Sequence, residues 1–202
     1  MLVKGGEAMQ GASVQKIARV LKVLVSITFV CNLIALYLVP VAVMSNSHNL
    51  LGGIQSYLGG IFFPGEDDIV MAGICASVLS WIWVWKNAYD LMLALFLLFS
   101  GCCTAVVLWQ GRRVLDTILR GEPFAAENAV SLRRAAVCAF LISGAALVRV
   151  IWSVCYYQSA RPLTSYNALF VPIFAMAGLL CLIMSALFRQ AAEMKAENDL
   201  TI

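Results

Sequence analysis

The sequence predicts an all-α integral membrane protein. It reads as a four-transmembrane-helix bundle with both ends in the cytoplasm and a partly ordered outer segment between helices 1 and 2. Three observations predict this. Of 202 residues, 62% are apolar and 12% charged, whereas a soluble domain is nearer half apolar and a quarter charged. The apolar residues gather into four runs, each long enough to cross a bilayer, which takes about 20 residues. The basic residues lie between those runs, in three places that four crossings put on one side.

The four runs extend from Val20 to Met44, Ala88 to Trp109, Ala135 to Tyr157 and Tyr166 to Phe188. In hydrocarbon the backbone must satisfy its own hydrogen bonds, so each run is read as a helix. A fifth run, Ile69 to Trp85, decides the topology. Lys4, Lys16, Arg19 and Lys22 lie before or at the very start of the first span; Arg112, Arg113, Arg120, Arg133 and Arg134 fall in the loop over residues 110–134; Arg189 and Lys195 fall in the tail over residues 189–202. Cytoplasmic loops carry the excess of Lys and Arg. Four spans satisfy all three clusters, and a fifth would push the five-arginine loop outside. The Ile69 to Trp85 run therefore lies in or against the outer interface, where Trp81, Trp83 and Trp85 are favoured. The whole outer segment, residues 45–87, contains Glu66, Asp67 and Asp68 and is Gly-rich before the run.

One domain is expected over residues 1–202. The basic residues before the first run suggest a signal anchor that is retained, because the run is too long for a signal peptide. The loop continues the neighbouring helices. Val114, Leu115, Ile118 and Leu119 keep helical spacing, Gly121 is a favourable stop, and "AENAVSLRRAA" begins the third helix. The tail prolongs the fourth helix in the same way.

Several function classes are disfavoured. A net charge of +3 is too small for direct nucleic-acid binding. The seven cysteines form no CxxC pair and have no histidine near them, so no metal or cofactor is expected. Cys75 and Cys155 fall near the outer face, where a disulfide is the minor reading. His48 reads as solvated. No catalytic motif appears, and no set of carboxylates lies within the spans. The protein is therefore read as non-enzymatic.

Small residues recur four apart at Ala139 and Ser143, then at Ala177, Cys181 and Ser185. Such faces let helices approach closely in lipid, which predicts packing within the bundle, with homo-oligomerisation as the lesser alternative. Asn32 and Asn167 are expected to bond between helices. Pro172 is expected to kink the fourth helix and free a carbonyl, and Pro40 to act likewise in the first. Arg149 is an intramembrane charge about two turns from the outer end of its helix, close enough to snorkel, with Asp90 as a candidate partner. A ligand-binding role for Arg149 is the alternative.

Two stretches go further: "LRGEPFAAENAVSLRR", Leu119 to Arg134, and "LFRQAAEMKAENDLTI" at the end of the sequence. Together they resemble the bacterial family known as domain of unknown function 2975. That family is similar in its four spans, its G-x-P-F…N…L-R loop and its F-R-x-G-x-x-L-x-x-E-N-D-L-T-I/V tail. The loop pattern falls on Gly121, Pro123, Phe124, Asn128, Leu132 and Arg133. The tail pattern falls on Phe188, Arg189, Glu197, Asn198, Asp199, Leu200, Thr201 and Ile202. Ala125 replaces a frequent Thr or Ser, Ala191 a frequent Gly and Met194 a frequent Leu. The resemblance implies a protein of the bacterial inner membrane. It also implies a cytoplasmic helix-turn-helix regulator as partner, since members are often encoded beside one.

Two uses of these motifs follow. Phe124 and the acids Glu193, Glu197 and Asp199 would contact the partner. Alternatively, the tail docks on the loop and closes the bundle, with Asp199 and the terminal carboxylate meeting Arg133 or Arg134. A small transporter or permeation subunit, built on Arg149 and the kinked fourth helix, is the competing function.

Overall fold

The computed structural model describes residues 2–48, 78–82, 84, 85, 87–122 and 124–200. Four long helices dominate: α1 (Leu2–His48), α2 (Ala88–Leu119), α3 (Ala126–Tyr157) and α4 (Tyr166–Leu200). A short 3₁₀ turn, Arg161–Thr164, joins α3 to α4. No strand occurs among the described residues. All four helices contain stretches long and apolar enough to cross a membrane: Gln15–Val43, Ala88–Leu119, Ala126–Tyr157 and Tyr166–Asn198.

Large apolar side chains stand exposed on every one of these helices, among them Ile27, Val30, Leu95, Ile151, Leu180 and Ile183. A water-soluble chain rarely leaves such continuous apolar surface uncovered. A helix whose outward face is as apolar as its inward face has lipid as its solvent. The hydroxyls on α1 obey the same constraint: Ser26 Oγ donates to the Lys22 carbonyl at 2.7 Å and Thr28 Oγ1 to the Leu24 carbonyl at 2.9 Å.

The chain forms two compact units, one of Leu33–Cys102 and one of Met1–Asn32 with Cys103–Ile202. In the first, Val39, Val43, Val84, Leu93 and Ala94 build a core, with Leu91, Leu97 and Leu98 packed on it. Asp90 is buried in the first turn of α2, where the helix N-terminus favours a carboxylate; it accepts a long bond from Asn87 Nδ2 at 3.4 Å. Residues 78–82 are helical. Ser80 and Val84 are buried there while Trp81, Ile82 and Trp85 are exposed, so this piece of the outer segment turns large apolar side chains outward. His48 is the last residue of α1, and its side chain, like the rest of the outer segment, including Cys75 and Trp83, lies outside the described residues. Cys155 is an exposed free thiol.

In the second unit α3 is the central helix. Ala136, Ala139, Ile142, Ser143, Ala146 and Val150 make a buried stripe at helical spacing. Helix α4 runs antiparallel to it in one steady register. Arg149 Nη1 donates to Asn167 Oδ1 at 3.2 Å, Ser143 Oγ to the Val171 carbonyl at 2.8 Å, and Ser185 Oγ to the Ala129 carbonyl at 2.7 Å. Between them Gly178 faces the Phe140 ring, whose nearest atom lies 3.0 Å from where a Cβ would stand. Small residues thus pack this seam, as their spacing predicted.

The polar residues of the spans divide. Asn167 bonds between helices as expected. Asn32 does not do so through its oxygen: Oδ1 is buried and accepts no hydrogen bond. Pro172 lies within α4, where its missing N–H leaves the Ala168 carbonyl, four residues back, without its helical donor, while the Val171 carbonyl accepts from Ser143 Oγ.

Candidate functional site

One end of the larger unit collects the charged residues. Lys22 Nζ on α1 pairs with Asp116 Oδ1 on α2 at 2.6 Å. Phe124, in the loop between α2 and α3, packs on Phe188 of α4 with ring centroids 6.2 Å apart. Ser185 bonds the first turn of α3 at Ala129. The start of the first span, the α2–α3 loop and the end of the fourth span therefore meet. These are the three regions whose basic residues the sequence groups on one side.

The loop is built by backbone rules. Helix α2 ends in a Schellman arrangement: the Glu122 N–H donates to the Thr117 carbonyl at 3.0 Å and the Gly121 N–H to the Ile118 carbonyl at 3.1 Å. This requires a left-handed residue, and Gly121 supplies it at φ +85°. Ala125 then caps α3 in extended geometry, φ −65° and ψ 136°, without a side-chain bond. A hydroxyl in that position accepts from the free N–H groups of the first turn. Ala125→Ser is expected to stabilise the protein by about 1 kcal/mol, read as a raised unfolding midpoint in detergent; no change would mean that another group already satisfies those donors.

Asn128 is the buried member of the loop motif, 1% exposed. Its Oδ1 accepts from Thr117 Oγ1 at 2.7 Å, tying the last turns of α2 to the first turn of α3. Leu132 is half-buried one turn later, and Arg133 is exposed. Arg133 and Arg189 flank an open groove of about 530 Å³ whose floor is Ala129, Val130, Leu182 and Ala186. On the tail, Arg189 Nε pairs with Glu193 Oε1 at 3.1 Å along the same helix. Glu197 and Asn198 are exposed further along α4. The backbone of Asp199 and Leu200 continues α4, with their side chains outside the described residues. Pro123, Thr201 and Ile202 also lie outside them, as does the expected meeting of Asp199 and the terminal carboxylate with Arg133 or Arg134.

Phe124 of the loop thus meets Phe188, the first residue of the tail pattern, and Ser185 of the fourth span bonds the first turn of α3. Phe124 remains 51% exposed although it touches Phe188. Arg149 lies elsewhere, on the α3–α4 seam with Asn167.

A second cavity was not anticipated. It is an open pocket of about 540 Å³ lined by Lys22, Arg113, Arg120, Asp116 and Glu127 above a floor of Thr117, Asn128 and Ser131. Its sequence signal is a polar stripe at Arg113, Asp116, Thr117 and Arg120, one face of α2 read at three- and four-residue steps. No group of three or more potential metal ligands occurs among the described residues.

Four long apolar helices joined in this way define a multi-pass membrane protein. The family model described as "Protein of unknown function (DUF2975)" matches residues 84–202, more than half the chain, and includes both motif stretches. The protein belongs to that family. No curated protein and no solved structure matches it.

Proposed function

We propose that this is a non-enzymatic protein of the bacterial cytoplasmic membrane, with both ends in the cytoplasm. In this reading it holds a cytoplasmic partner, a small helix-turn-helix regulator, on the surface where loop and tail meet. The observation that carries the reading is the Phe124–Phe188 contact. It joins the two motif stretches into one surface and leaves half of the Phe124 ring available. Its position favours the cytoplasm: Lys22, Arg113, Arg120, Arg133 and Arg189 gather at this end, and positive residues are retained inside. The acids Glu193 and Glu197 on the neighbouring helix suit the basic surface of a DNA-binding partner. The Arg149–Asn167 bond fits a packing role for the intramembrane charge better than a transport path.

A crosslinked pull-down from native membranes tests this. The baits are the intact protein, Phe124→Ala and a chain lacking Asp199 to Ile202. A helix-turn-helix protein is expected with the intact bait and to fall about tenfold or more with Phe124→Ala, the loss of an exposed aromatic anchor. Equal recovery from all three properly inserted baits would refute the reading.

A further inference from the structure

We infer that the pocket between α1, α2 and α3 is a binding site for a phosphate-bearing anion, and that its placement suits an anionic phospholipid headgroup. This site is separate from the partner surface and does not depend on it.

Three cationic side chains line the pocket, Lys22, Arg113 and Arg120, against two carboxylates, Asp116 and Glu127. Asp116 is already engaged by Lys22 at 2.6 Å. Arg113 and Arg120 are exposed, and neither has an ion-pair partner among the described residues. They stand about two turns apart, Arg113 on α2 and Arg120 just past its last residue, both flanking the same opening. Two guanidinium groups thus face one remaining carboxylate, Glu127, which leaves an excess of positive charge. Planar guanidinium groups are suited to phosphate oxygens.

The floor supplies polar groups. Thr117, Asn128 and Ser131 line it and are 3%, 1% and 3% exposed. Thr117 Oγ1 donates to Asn128 Oδ1. The Ser131 hydroxyl has no hydrogen-bond partner among the described residues. Its Oγ is not sealed from solvent, so a water or a ligand in the pocket can bond to it. The first turn of α3, which has no side-chain cap, adds its positive end to the same pocket.

Depth selects the source. The pocket lies at the ends of the apolar runs: Arg113 follows the run ending at Trp109, Ser131 precedes the run beginning at Ala135, and Lys22 lies in the first turn of the run beginning at Val20. At about 1.5 Å per residue, Arg113 and Ser131 are about 6 Å past the hydrocarbon boundary, within the headgroup layer, and Arg120 is about 16 Å past it, on the aqueous side from which its long side chain reaches back. Basic pockets between helices at this depth take lipid headgroups. A soluble phosphate compound offers the same chemistry from the aqueous side.

The test uses the full-length protein in phosphatidylcholine nanodiscs carrying a minority of phosphatidylglycerol, with retained lipid counted by native mass spectrometry. The wild type is expected to keep phosphatidylglycerol over phosphatidylcholine. Arg113→Gln with Arg120→Gln is expected to weaken that retention by about thirtyfold, the effect of two basic residues near a charged headgroup. Glu127→Gln should strengthen it, and Arg161→Gln, which removes the same charge from the α3–α4 turn, should leave it unchanged. Helical circular dichroism on each variant checks folding. Millimolar inorganic phosphate forms the second arm. If it displaces the lipid and raises the unfolding midpoint of wild type but not of the double variant, the site takes phosphate from solution. If it does neither while phosphatidylglycerol is retained, the lipid is the ligand. Retention that ignores both arginines and Glu127, or wild type that responds to neither ligand, overturns the inference.

Discussion

Gly101→Val is expected to destabilise the protein by about 1–3 kcal/mol, and Leu36→Ala in the same chain to recover much of that loss. The reason is a close approach of α1 and α2. A Cβ on Gly101 would stand 2.5 Å from Leu36 Cδ2 and 3.0 Å from its Cγ. In most helices glycine is a weakness, worth about 0.5–1 kcal/mol against alanine. Alanine here would offset part of the clash through that propensity gain. Valine gains less and adds two methyl groups in the crowded space. Shortening Leu36 removes the atoms that collide, so the two changes must couple. Thermal unfolding in detergent, followed by circular dichroism, measures all four members of the cycle. A Leu36→Ala penalty that simply adds to that of Gly101→Val would refute the close approach.

The second large effect belongs to the Thr117–Asn128 bond. Thr117→Val leaves Asn128 Oδ1 without this donor in a site that is 1% exposed, a cost of about 1–3 kcal/mol. Asn128→Leu affects Thr117 differently, because the threonine hydroxyl also lies 2.7 Å from the Val114 carbonyl and can donate there instead. The pair should show a coupling of about 1 kcal/mol or more in a double-mutant cycle. Amide exchange should also quicken around Gly121 to Glu127, since this bond holds the two helix ends across the loop. A coupling near zero, with unchanged exchange, would show that the loop is held by other means.

These two sites differ in how they could be read from the chain. Asn128 stood out because it belongs to a motif that resembles a known family. Its chemistry did not stand out, since a polar residue in a cationic loop is ordinarily solvated. The structure buries it because α2 extends through Leu119 and brings Thr117 alongside the first turn of α3. Gly101 carried no signal at all. Glycine is tolerated in membrane helices for several reasons, and only the position of Leu36 shows which applies.

The same division holds for the charged residues. Lys22 was counted as one of the positive residues that orient the chain, and its partner was not foreseen. Lys22 and Asp116 are far apart in sequence, and no local rule links them; they meet because the first and second spans end at the same level. Arg149 lies near one end of its helix, as hydropathy places it. Its observed bond to Asn167 follows from the antiparallel register of α3 and α4.

The sequence by itself determined the membrane class, the four helices, the helical continuations of loop and tail, the stop at Gly121 and the uncapped start of α3. Each depends on hydropathy, charge or backbone chemistry, which act over a few residues and leave a local trace. Only the tertiary structure decided that Phe124 rests on Phe188, that Ser143 and Ser185 bind carbonyls across a seam, and that Lys22, Arg113 and Arg120 surround one pocket. Those facts depend on the rotation and register of helices against one another. In lipid, where apolar faces point outward as readily as inward, the hydrophobic pattern does not encode either.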